Sequence, residues 1–503
     1  MPVINSMVKL FLKDRIKDID AFINNPILTQ SNILSSLISS SKETSFGKKH
    51  AFEKIKTSKD FKKRIPLHHY EDFKPYIERI FKGEDNVIWP TPIRWFAKSS
   101  GTTSDKSKFI PISHESLEDC HYKSGKDLLA CFCKNKPESN MFKKGKGLII
   151  GGSHELSRHN DDIIYGDLSA VLLQNLPFLA RYFRTPSLET ALLDNWDKKL
   201  EQMALESINE NVTQISGVPS WTLVLINKLF EISGKDNLMD IWPNLELYMH
   251  GGVSFTPYES QYRSMINGPN MAYYETYNAS EGFFAFQNEP EKKDLLLLLN
   301  HGIYYEFIPM SEVHKEQPKT LDLTEVTAGE NYAIVISTNA GLWRYIVGDT
   351  VRFTSTFPFK IQVSGRIKHF INAFGEELII ENAENALAHA CKSTNARIQE
   401  YTAAPIYFSK GSAGGHEWII EFEKLPDNID VFTKELDNSL KSLNSDYEAK
   451  RYNDYTIKMP VIKLAPKGLF YRWLKNKGKL GGQHKIPRLS NDRKHIEELL
   501  SMI

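Results

Sequence analysis

Short apolar segments alternate with helical segments through the middle of the chain, and glycine or small polar residues follow the apolar segments. Gly147–Gly152 is one such segment, Gly217 follows another, and Gly251-Gly252 follow Leu245–His250. Alternating strands and helices predict a parallel α/β sheet, and such sheets bind ligands at the carboxyl ends of their strands. We therefore expect an α/β fold with its site at these strand ends.

The pattern changes at about residue 283. From there to residue 365 the segments are strand-like with little helix between them, which predicts an antiparallel sheet or a small β-barrel. After Gly365-Arg366 strands and helices are mixed again. We expect a large N-terminal domain, 1–365, whose barrel part is about 283–365, and a smaller α+β C-terminal domain, 366–503.

Charge and cysteine content exclude several classes of protein. Lys and Arg total 63 against 62 Asp and Glu, so we expect neither a nucleic-acid binder nor a membrane-surface binder. No apolar run approaches the roughly 20 residues of a membrane span. Charges interrupt the first 26 residues, which argues against a signal peptide. Four cysteines without C-x-x-C spacing fit a reducing compartment, so we expect a cytoplasmic protein.

The stretch KSSGTTSDKSK, Lys98–Lys108, follows one strand-like segment and precedes another. Small hydroxyl residues around a glycine leave backbone N–H groups free to face an anion, and the lysines add positive charge. The stretch suits a phosphate-binding loop, and it also suits an ordinary polar turn. The Walker P-loop and the G-x-G-x-x-G dinucleotide pattern are both missing from the sequence.

Two further motifs follow predicted strands. Tyr277 offers a ring for stacking, and Glu281 offers a carboxylate of the kind that Mg²⁺ takes as a ligand. Asp349, which ends the segment WRYIVGD, has two oxygens that suit a ribose diol. Each of these residues also suits a plain surface turn.

Two glycine-containing segments are candidates for moving parts. The junction Gly365–Glu377 suits a hinge or an ordinary polar connection. Lys485 follows Gly481-Gly482. It could reach into an active site, or it could belong to a solvated basic loop. Each motif alone leaves both interpretations open, and their order along the chain is the stronger signal.

That order is the order of motifs in adenylate-forming enzymes. The stretches YGDLSAVLLQNLP, ENVTQISGVPSWT, HGGVSFTPY, YNASEGFFAFQ, GLWRYIVGDTVRF and HFINAFGEEL extend the similarity over nearly the whole chain. The sequence resembles the bacterial branch of the auxin-responsive Gretchen Hagen family of acyl-acid amido synthetases.

The resemblance implies a large N-terminal adenylation domain, α/β with a β-barrel, and a small mobile C-terminal domain. It implies ATP as a substrate, Mg²⁺ as a cofactor, and a small carboxylic acid and an amino acid as the molecules joined. The acid would first form an acyl-adenylate with release of pyrophosphate. The amino group would then attack the acyl carbon and release AMP.

The resemblance also implies residue roles. Lys485 and Lys108 would be catalytic, Glu281 would hold Mg²⁺, Tyr277 would pack on adenine, and Asp349 would bind the ribose. The other implied nucleotide-binding residues are Ser99, Ser100, Gly101, Thr102, Thr103, Ser104, Ser280 and Arg366, and the implied hinge is Arg366 and Lys368. The candidate walls of the acyl pocket are Val218, Trp221, Gly251, Gly252, Val253 and Phe255.

Three questions stay open at this level. The chain has AFGEE after the Gly-Arg pair, where plant members have a different loop, so acceptor-binding residues are not transferred. An acyl-CoA ligase shares the first half-reaction, and a non-catalytic nucleotide- or acid-binding sensor shares the binding residues. The sequence names neither the acid nor the amino acid, and it leaves a monomer and a dimer equally open.

Overall fold

The computed structural model describes most of the chain. The described residues are 2–99, 108–151, 156–159, 162–193, 195–253, 255–256, 258–313, 315–367, 370–371, 373–374, 376, 378–407, 414–451, 457–478 and 486–503. Of the predicted site residues, 100–104, Lys368 and Lys485 lie outside this set.

Helices occur along the whole chain. The α-helices are α1 Pro2–Asn24, α2 Pro26–Ser41, α3 Ser45–Lys49, α4 Ser58–Arg64, α5 Tyr70–Phe81, α6 His114–Ser116, α7 Lys123–Asn135, α8 Leu168–Gln174, α9 Phe178–Tyr182, α10 Leu188–Ala191, α11 Trp196–Ser207, α12 Pro219–Ser233, α13 Glu259–Met265, α14 Ile380–Thr394, α15 Ile429–Leu443, α16 Ser445–Arg451, α17 Leu469–Asn476 and α18 Lys494–Leu500. Short 3₁₀ turns cover Phe52–Lys54 and Leu238–Asp240, and a π-helical turn covers Leu117–Tyr122.

The strands begin at residue 95. They are β1 Trp95–Ser99, β2 Lys108–Ile112, β3 Lys146–Ile149, β4 Ser157–Arg158, β5 Ile164–Gly166, β6 Arg184–Thr185, β7 Val212–Gly217, β8 Leu247–Gly251, β9 Ala272–Ala279, β10 Gly282–Phe286, β11 Leu295–Leu297, β12 Ile303–Pro309, β13 Asn331–Thr338, β14 Tyr345–Thr356, β15 Phe359–Arg366, β16 Phe370–Ile371, β17 Leu378–Ile379, β18 Arg397–Ile406, β19 Gly415–Lys424 and β20 Val461–Ala465.

One large sheet organises the N-terminal part. Its order is β12-β13-β14-β15-β11-β10-β9-β8-β7-β3-β6. The strands from β9 to β6 pair in parallel, and those from β12 to β9 pair antiparallel. The predicted α/β fold is confirmed. The region predicted as an antiparallel sheet or small barrel is the antiparallel half, and it is continuous with the parallel half.

The described residues also form three smaller sheets, of which β16 and β17 make the shortest. The order β2-β1-β5-β4 places β1 and β2 in an antiparallel hairpin whose register pairs Ser99 with Lys108. The C-terminal part holds β18-β19-β20, in which β18 and β19 form an antiparallel pair. No helix in the described part of the chain is long and apolar enough to cross a membrane.

Local chemistry explains where helices begin. Proline chemistry predicts a helix break at Pro26, and Pro26 does stand at the start of α2, where its missing N–H needs no partner. The apolar pattern of Thr190–Asn209 predicts helix, and the structure is helical over most of this segment, with a break between α10 and α11. Helix α10 ends at Ala191, and the Asn195 side chain then caps α11 by accepting from the Lys198 N–H at 3.0 Å.

Separate apolar cores support a large N-terminal and a smaller C-terminal domain. The largest cluster lies within residues 19–361 and a second lies within 148–266. A third, which contains Trp418 and Tyr401, lies within 371–489 and joins β18 and β19 to α14 and α15. Each part therefore has a core of its own, as folding units do.

A buried ion pair fixes the start of β14. Arg344 donates to both carboxylate oxygens of Glu306 at 2.9 Å, and the two side chains are 7% and 1% exposed. Thr320 donates to the same carboxylate at 2.6 Å, and Arg344 donates to the Ile65 carbonyl at 2.6 Å. The pair therefore ties β12 and the end of α4 to the segment that leads to Asp349.

We predict that Glu306→Ala lowers the free energy of unfolding by about 3–5 kcal/mol, because it leaves the Arg344 charge buried without its partner. Urea denaturation measures this loss. Glu231→Ala is the control, since Glu231 pairs with Lys228 on the surface of α12 and is 69% exposed. We expect no resolvable change for the control, and an equal loss in both variants would contradict this account.

Candidate functional site

The turn between β9 and β10 lies where the large sheet changes from parallel to antiparallel. Ala279 and Gly282 are register partners, so Ser280 and Glu281 form a two-residue connection. Strand β9 is parallel to β8, and β8 is parallel to β7. The β9–β10 turn therefore lies at the carboxyl edge of the parallel strands, where ligands bind such sheets.

Asp349, on β14, receives hydrogen bonds from β9 and β15. The Tyr277 hydroxyl donates to Oδ2 at 2.9 Å, and Arg366 Nε donates to Oδ1 at 2.7 Å. Asp349 and Arg366 are register partners on β14 and β15. Tyr277 and Asp349 are both buried, and the Asp349 charge raises the pKa of the Arg366 guanidinium. Three predicted site residues are thus in direct contact.

Glu281 lies close to several charges. Burial raises the pKa of its carboxyl, while Lys108 and Arg366 act in the opposite direction and Asp349 adds to the rise. Burial raises the pKa of the fully buried Tyr345 phenol, and the charge of Glu281 adds to that rise. Two cations and two carboxylates therefore share one small region.

Lys108 is the first residue of β2, and residues 100–107 join it to β1. Its Nζ lies 5.8 Å from the centroid of the Tyr70 ring, and the Tyr70 hydroxyl accepts a hydrogen bond from the Phe109 N–H at 2.8 Å. Because Lys108 acts electrostatically on Glu281, the end of the candidate phosphate loop lies beside the β9–β10 turn.

The structure thus brings together Lys108, Tyr277, Glu281, Asp349 and Arg366. Ser280 is buried in the same turn, and the backbone of Ser99 pairs with Lys108. The predicted residues that lie outside the described part of the chain are Ser100, Gly101, Thr102, Thr103, Ser104, Lys368 and Lys485.

Sequence reasoning missed three nearby residues. Tyr345 stood inside a motif in which only Asp349 was selected, and Tyr70 had no signal beyond the start of a helix. His121 lies in the π-helical turn, where burial lowers the pKa of its ring to about 4 and a hydrogen bond with Asn278 opposes that shift. A π-helical turn is itself a frequent feature of functional sites, but periodicity alone does not reveal it.

The candidate acyl-pocket residues follow two neighbouring parallel strands. Val218 follows β7, and Gly251 ends β8, with Gly217 and His250 paired between them. A Cβ at Gly251 would lie 2.3 Å from the Thr276 carbonyl oxygen, so β9 packs too closely for any larger residue. Gly252 has φ +82°, a conformation that favours glycine.

Aromatic rings fill the space beyond these glycines. The Phe255 ring stacks on His250 with centroids 4.0 Å apart, and burial lowers the pKa of His250 to about 3. Trp221 packs edge-on against Trp196 at 4.8 Å, and Val253 packs on the same cluster. This region therefore presents apolar and aromatic surface, with a neutral imidazole, next to the site.

A metal ion would have few protein ligands here. Among the described residues, no group of three or more His, Cys, Asp or Glu side chains is arranged to hold one. Of the described residues in the β9–β10 turn, Glu281 is the one that offers a carboxylate beside the end of the phosphate loop. That arrangement fits Mg²⁺ only where phosphate oxygens and water complete the coordination, as is common for this ion.

Two carboxyl groups face each other where the N-terminal and C-terminal parts meet. Burial raises the pKa of Glu275, on β9, to about 7, and the charge of Glu384, on α14, adds to the rise. Lys293 opposes it. On the same junction Arg352 donates to Glu381 of α14 at 2.5 Å.

Models of known protein families match three consecutive parts of the chain. The GH3 family N-terminal domain matches residues 15–271, the GH3 family central domain matches 296–366, and the GH3 family C-terminal domain matches 381–494.

Similar proteins have been characterised in plants. The indole-3-acetic acid-amido synthetase GH3.3 of Arabidopsis thaliana is 24% identical over 93% of this chain and 90% of its own length. The 4-substituted benzoates-glutamate ligase GH3.12 of the same plant is 23% identical over 93% of this chain and 94% of its own. The similarity therefore covers nearly the whole of each protein.

Solved structures show the same fold. A GH3.15 acyl acid amido synthetase in complex with 2,4-DB superposes with a TM-score of 0.81 over 98% of this chain and 96% of its own, at 18% identity. A 2-hydroxyisobutyryl-CoA ligase in the postadenylation state gives a TM-score of 0.60 over 93% and 91% of the two chains, at 12% identity. The fold is that of adenylate-forming ligases.

We predict that Glu275 makes stability depend on pH. Its folded pKa of about 7 lies above its ordinary value of 4.5, so the folded protein loses stability as pH rises between these values. Glu275→Gln cannot ionise, so its stability relative to the wild type should increase from pH 4.5 to pH 7 and then level off. Urea denaturation at several pH values measures the difference. Glu316→Gln, at an exposed position, is the control, and a pH-independent difference for Glu275→Gln would disprove the assignment.

Proposed function

The chain belongs to the GH3 family, and on that basis we propose that it is an ATP-dependent acyl-acid amido synthetase. The carboxylate of a small acid would attack the α-phosphorus of ATP, giving an acyl-adenylate and pyrophosphate. The amine of an amino acid would then attack the acyl carbon, giving an amide and AMP. The names of its plant relatives, which are amido synthetases and an acid–glutamate ligase, support this proposal.

The observation that carries the proposal is the convergence of Lys108, Glu281, Asp349 and Arg366 at one edge of the sheet. These residues come from four separate motifs of the sequence, and contacts or electrostatic interactions connect them. In the first step two anions must approach each other, so positive charge has to offset theirs in the transition state. Lys108 and Arg366 supply such charge next to the candidate phosphate loop.

We propose the following roles. Ser99–Ser104 and Lys108 hold the phosphates, and Lys485 stabilises the charge that develops on phosphate and carboxylate. Asp349 accepts from the ribose hydroxyls, with Arg366 and the Tyr277 hydroxyl keeping its carboxylate in place. The sequence suggests the Tyr277 ring as a surface for adenine. Because this ring is buried, adenine would contact only its exposed edge.

Glu281 is the proposed Mg²⁺ ligand. The ion would supply positive charge to the phosphates when bound. The raised pKa of Glu281 means that burial opposes its ionised form, and a cation bound beside it would favour that form. Lys108, on the same side, would then be freed to contact phosphate oxygens.

We propose that the acid has an apolar body and lies against Val218, Trp221, Gly251, Gly252, Val253 and Phe255. The aromatic rings around His250 suit such a molecule, and its carboxylate would point to the β9–β10 turn. We also propose that the domains meet at residue 366, that Arg366 and Lys368 form the hinge, and that the protein acts in the cytoplasm.

The test of the function is a product screen. Purified protein is incubated with ATP, Mg²⁺, single carboxylic acids and single amino acids, and products are detected by mass. We expect an amide and AMP that depend on both substrates. CoA replaces the amino acid in a parallel series, and a thioester formed in place of the amide would favour an acyl-CoA ligase. No product and no ATP use with any pair would overturn the proposal in favour of a binding protein.

We predict that Asp349→Asn and Glu281→Gln each lower the rate of amide formation at least about 100-fold, since the first weakens the proposed acceptor for the ribose hydroxyls and the second removes the charge of the proposed Mg²⁺ ligand. The measurement is AMP release with saturating acid and amino acid. Thermal unfolding of each variant checks that it is folded, and Glu231→Gln should keep full activity.

A second prediction concerns the phosphate loop. Lys108→Ala should raise the KM for ATP and lower the turnover rate, because Lys108 is the cation next to both the loop and Glu281. Lys98→Ala, on the preceding strand, is the matched control and should have a smaller effect. Equal effects of the two substitutions would contradict the assignment of Lys108 to the ATP site.

A further inference from the structure

Tyr258 and Arg488 form a buried contact between the two parts of the chain. Tyr258 precedes α13 and is 2% exposed, and Arg488 lies in the last segment and is 8% exposed. Arg488 Nη2 donates to the Tyr258 hydroxyl at 3.1 Å. The same hydroxyl faces the Gln399 carbonyl oxygen of β18 at 3.5 Å.

The C-terminal part holds Arg488 rigidly. Its Nη1 donates to the Glu400 carboxylate and to the Tyr401 carbonyl at 3.1 Å. Its guanidinium carbon lies 4.6 Å from the centroid of the Tyr401 ring. These contacts fix the guanidinium within its own domain. The hydrogen bond to Tyr258 therefore restrains the position of that domain relative to the N-terminal part.

Tyr258 is connected on its other side to the candidate acyl pocket. Its N–H donates to the Phe255 carbonyl at 2.9 Å, and the Phe255 ring stacks on His250 at the end of β8. In the sequence, Arg488 follows the proposed catalytic Lys485 by three residues. The contact therefore joins the wall of the proposed acid site to the segment that carries the proposed lysine.

We propose that Tyr258 is a positioning residue for acyl-adenylate formation, acting through Arg488 to set where the C-terminal segment lies relative to the bound acid. This inference rests on the proposed function. Tyr258 takes no part in the bond changes, so its loss should affect the turnover of the adenylation step and leave substrate affinity nearly unchanged.

The test is acid-dependent exchange of labelled pyrophosphate into ATP, measured for the wild type, Tyr258→Phe, Arg488→Lys and the double variant. Tyr258→Phe removes one hydrogen bond to a charged group, so we expect the exchange rate to fall about tenfold, with the KM for the acid within about twofold and the melting temperature nearly unchanged. Arg488→Lys should also slow exchange, and the double variant should be no slower than the slower single variant, because both substitutions remove the same contact.

Tyr471→Phe is the matched control. The Tyr471 hydroxyl also crosses between the parts, donating to Asp197 at 2.5 Å, but this contact is exposed, whereas the contact between Tyr258 and Arg488 is buried. We expect its exchange rate to match the wild type. Exchange by Tyr258→Phe within twofold of the wild type, or an equal fall in Tyr471→Phe, would overturn the inference. A wild type without exchange for any acid would instead overturn the proposed function.

Discussion

The carboxylate of Asp349 is the interaction on which the site depends. A buried carboxylate is unfavourable unless donors satisfy it, and here the donors come from β9 and β15 while Asp349 itself stands on β14. Tyr277 belongs to the strand that borders the parallel half, and Arg366 is the last residue of the antiparallel half. One side chain therefore holds both halves of the large sheet, and the exit to the C-terminal part, in a fixed relation.

This arrangement also sets the charge of the site. Lys108 and Arg366 provide two cations, and Glu281 and Asp349 provide two carboxylates. Asp349 accepts hydrogen bonds from Tyr277 and Arg366. Burial also raises the pKa of Glu281, and the charges of Lys108 and Arg366 lie close to it. When a nucleotide and its metal ion bind, they can replace the contacts among these four side chains without leaving a buried charge unpaired. The proposed adenylation depends on this replacement.

Much of the architecture was predictable because it depends on local pattern. Glycines after strand ends predicted the carboxyl edge of the sheet, and the change of pattern at residue 283 coincides with the start of the antiparallel half at Gly282. The break at Pro26 was predictable from proline chemistry, whereas the break before Asn195 was not, because an apolar helical pattern continues across it. There the cap of α11 decided the structure.

The site was predictable as a set of residues but not as a set of contacts. Tyr277 and Asp349 are 72 residues apart, and no periodicity shows that one donates to the other. Likewise, the motif around Tyr277 suggested a stacking role for its ring, whereas in the structure its hydroxyl donates to Asp349. Tyr258 and Arg488 stand in stretches that the sequence singles out, but neither was selected, since their importance comes from the way the two parts of the chain meet.

The most direct measurement of the central claim follows oxygen atoms. An acid that supports turnover is labelled with ¹⁸O in both carboxylate positions and incubated with ATP, Mg²⁺ and the amino acid. If the carboxylate attacks the α-phosphorus, the released AMP carries one ¹⁸O atom and the amide retains the other. Unlabelled AMP, or label found in inorganic phosphate with ADP as the nucleotide product, would contradict the account.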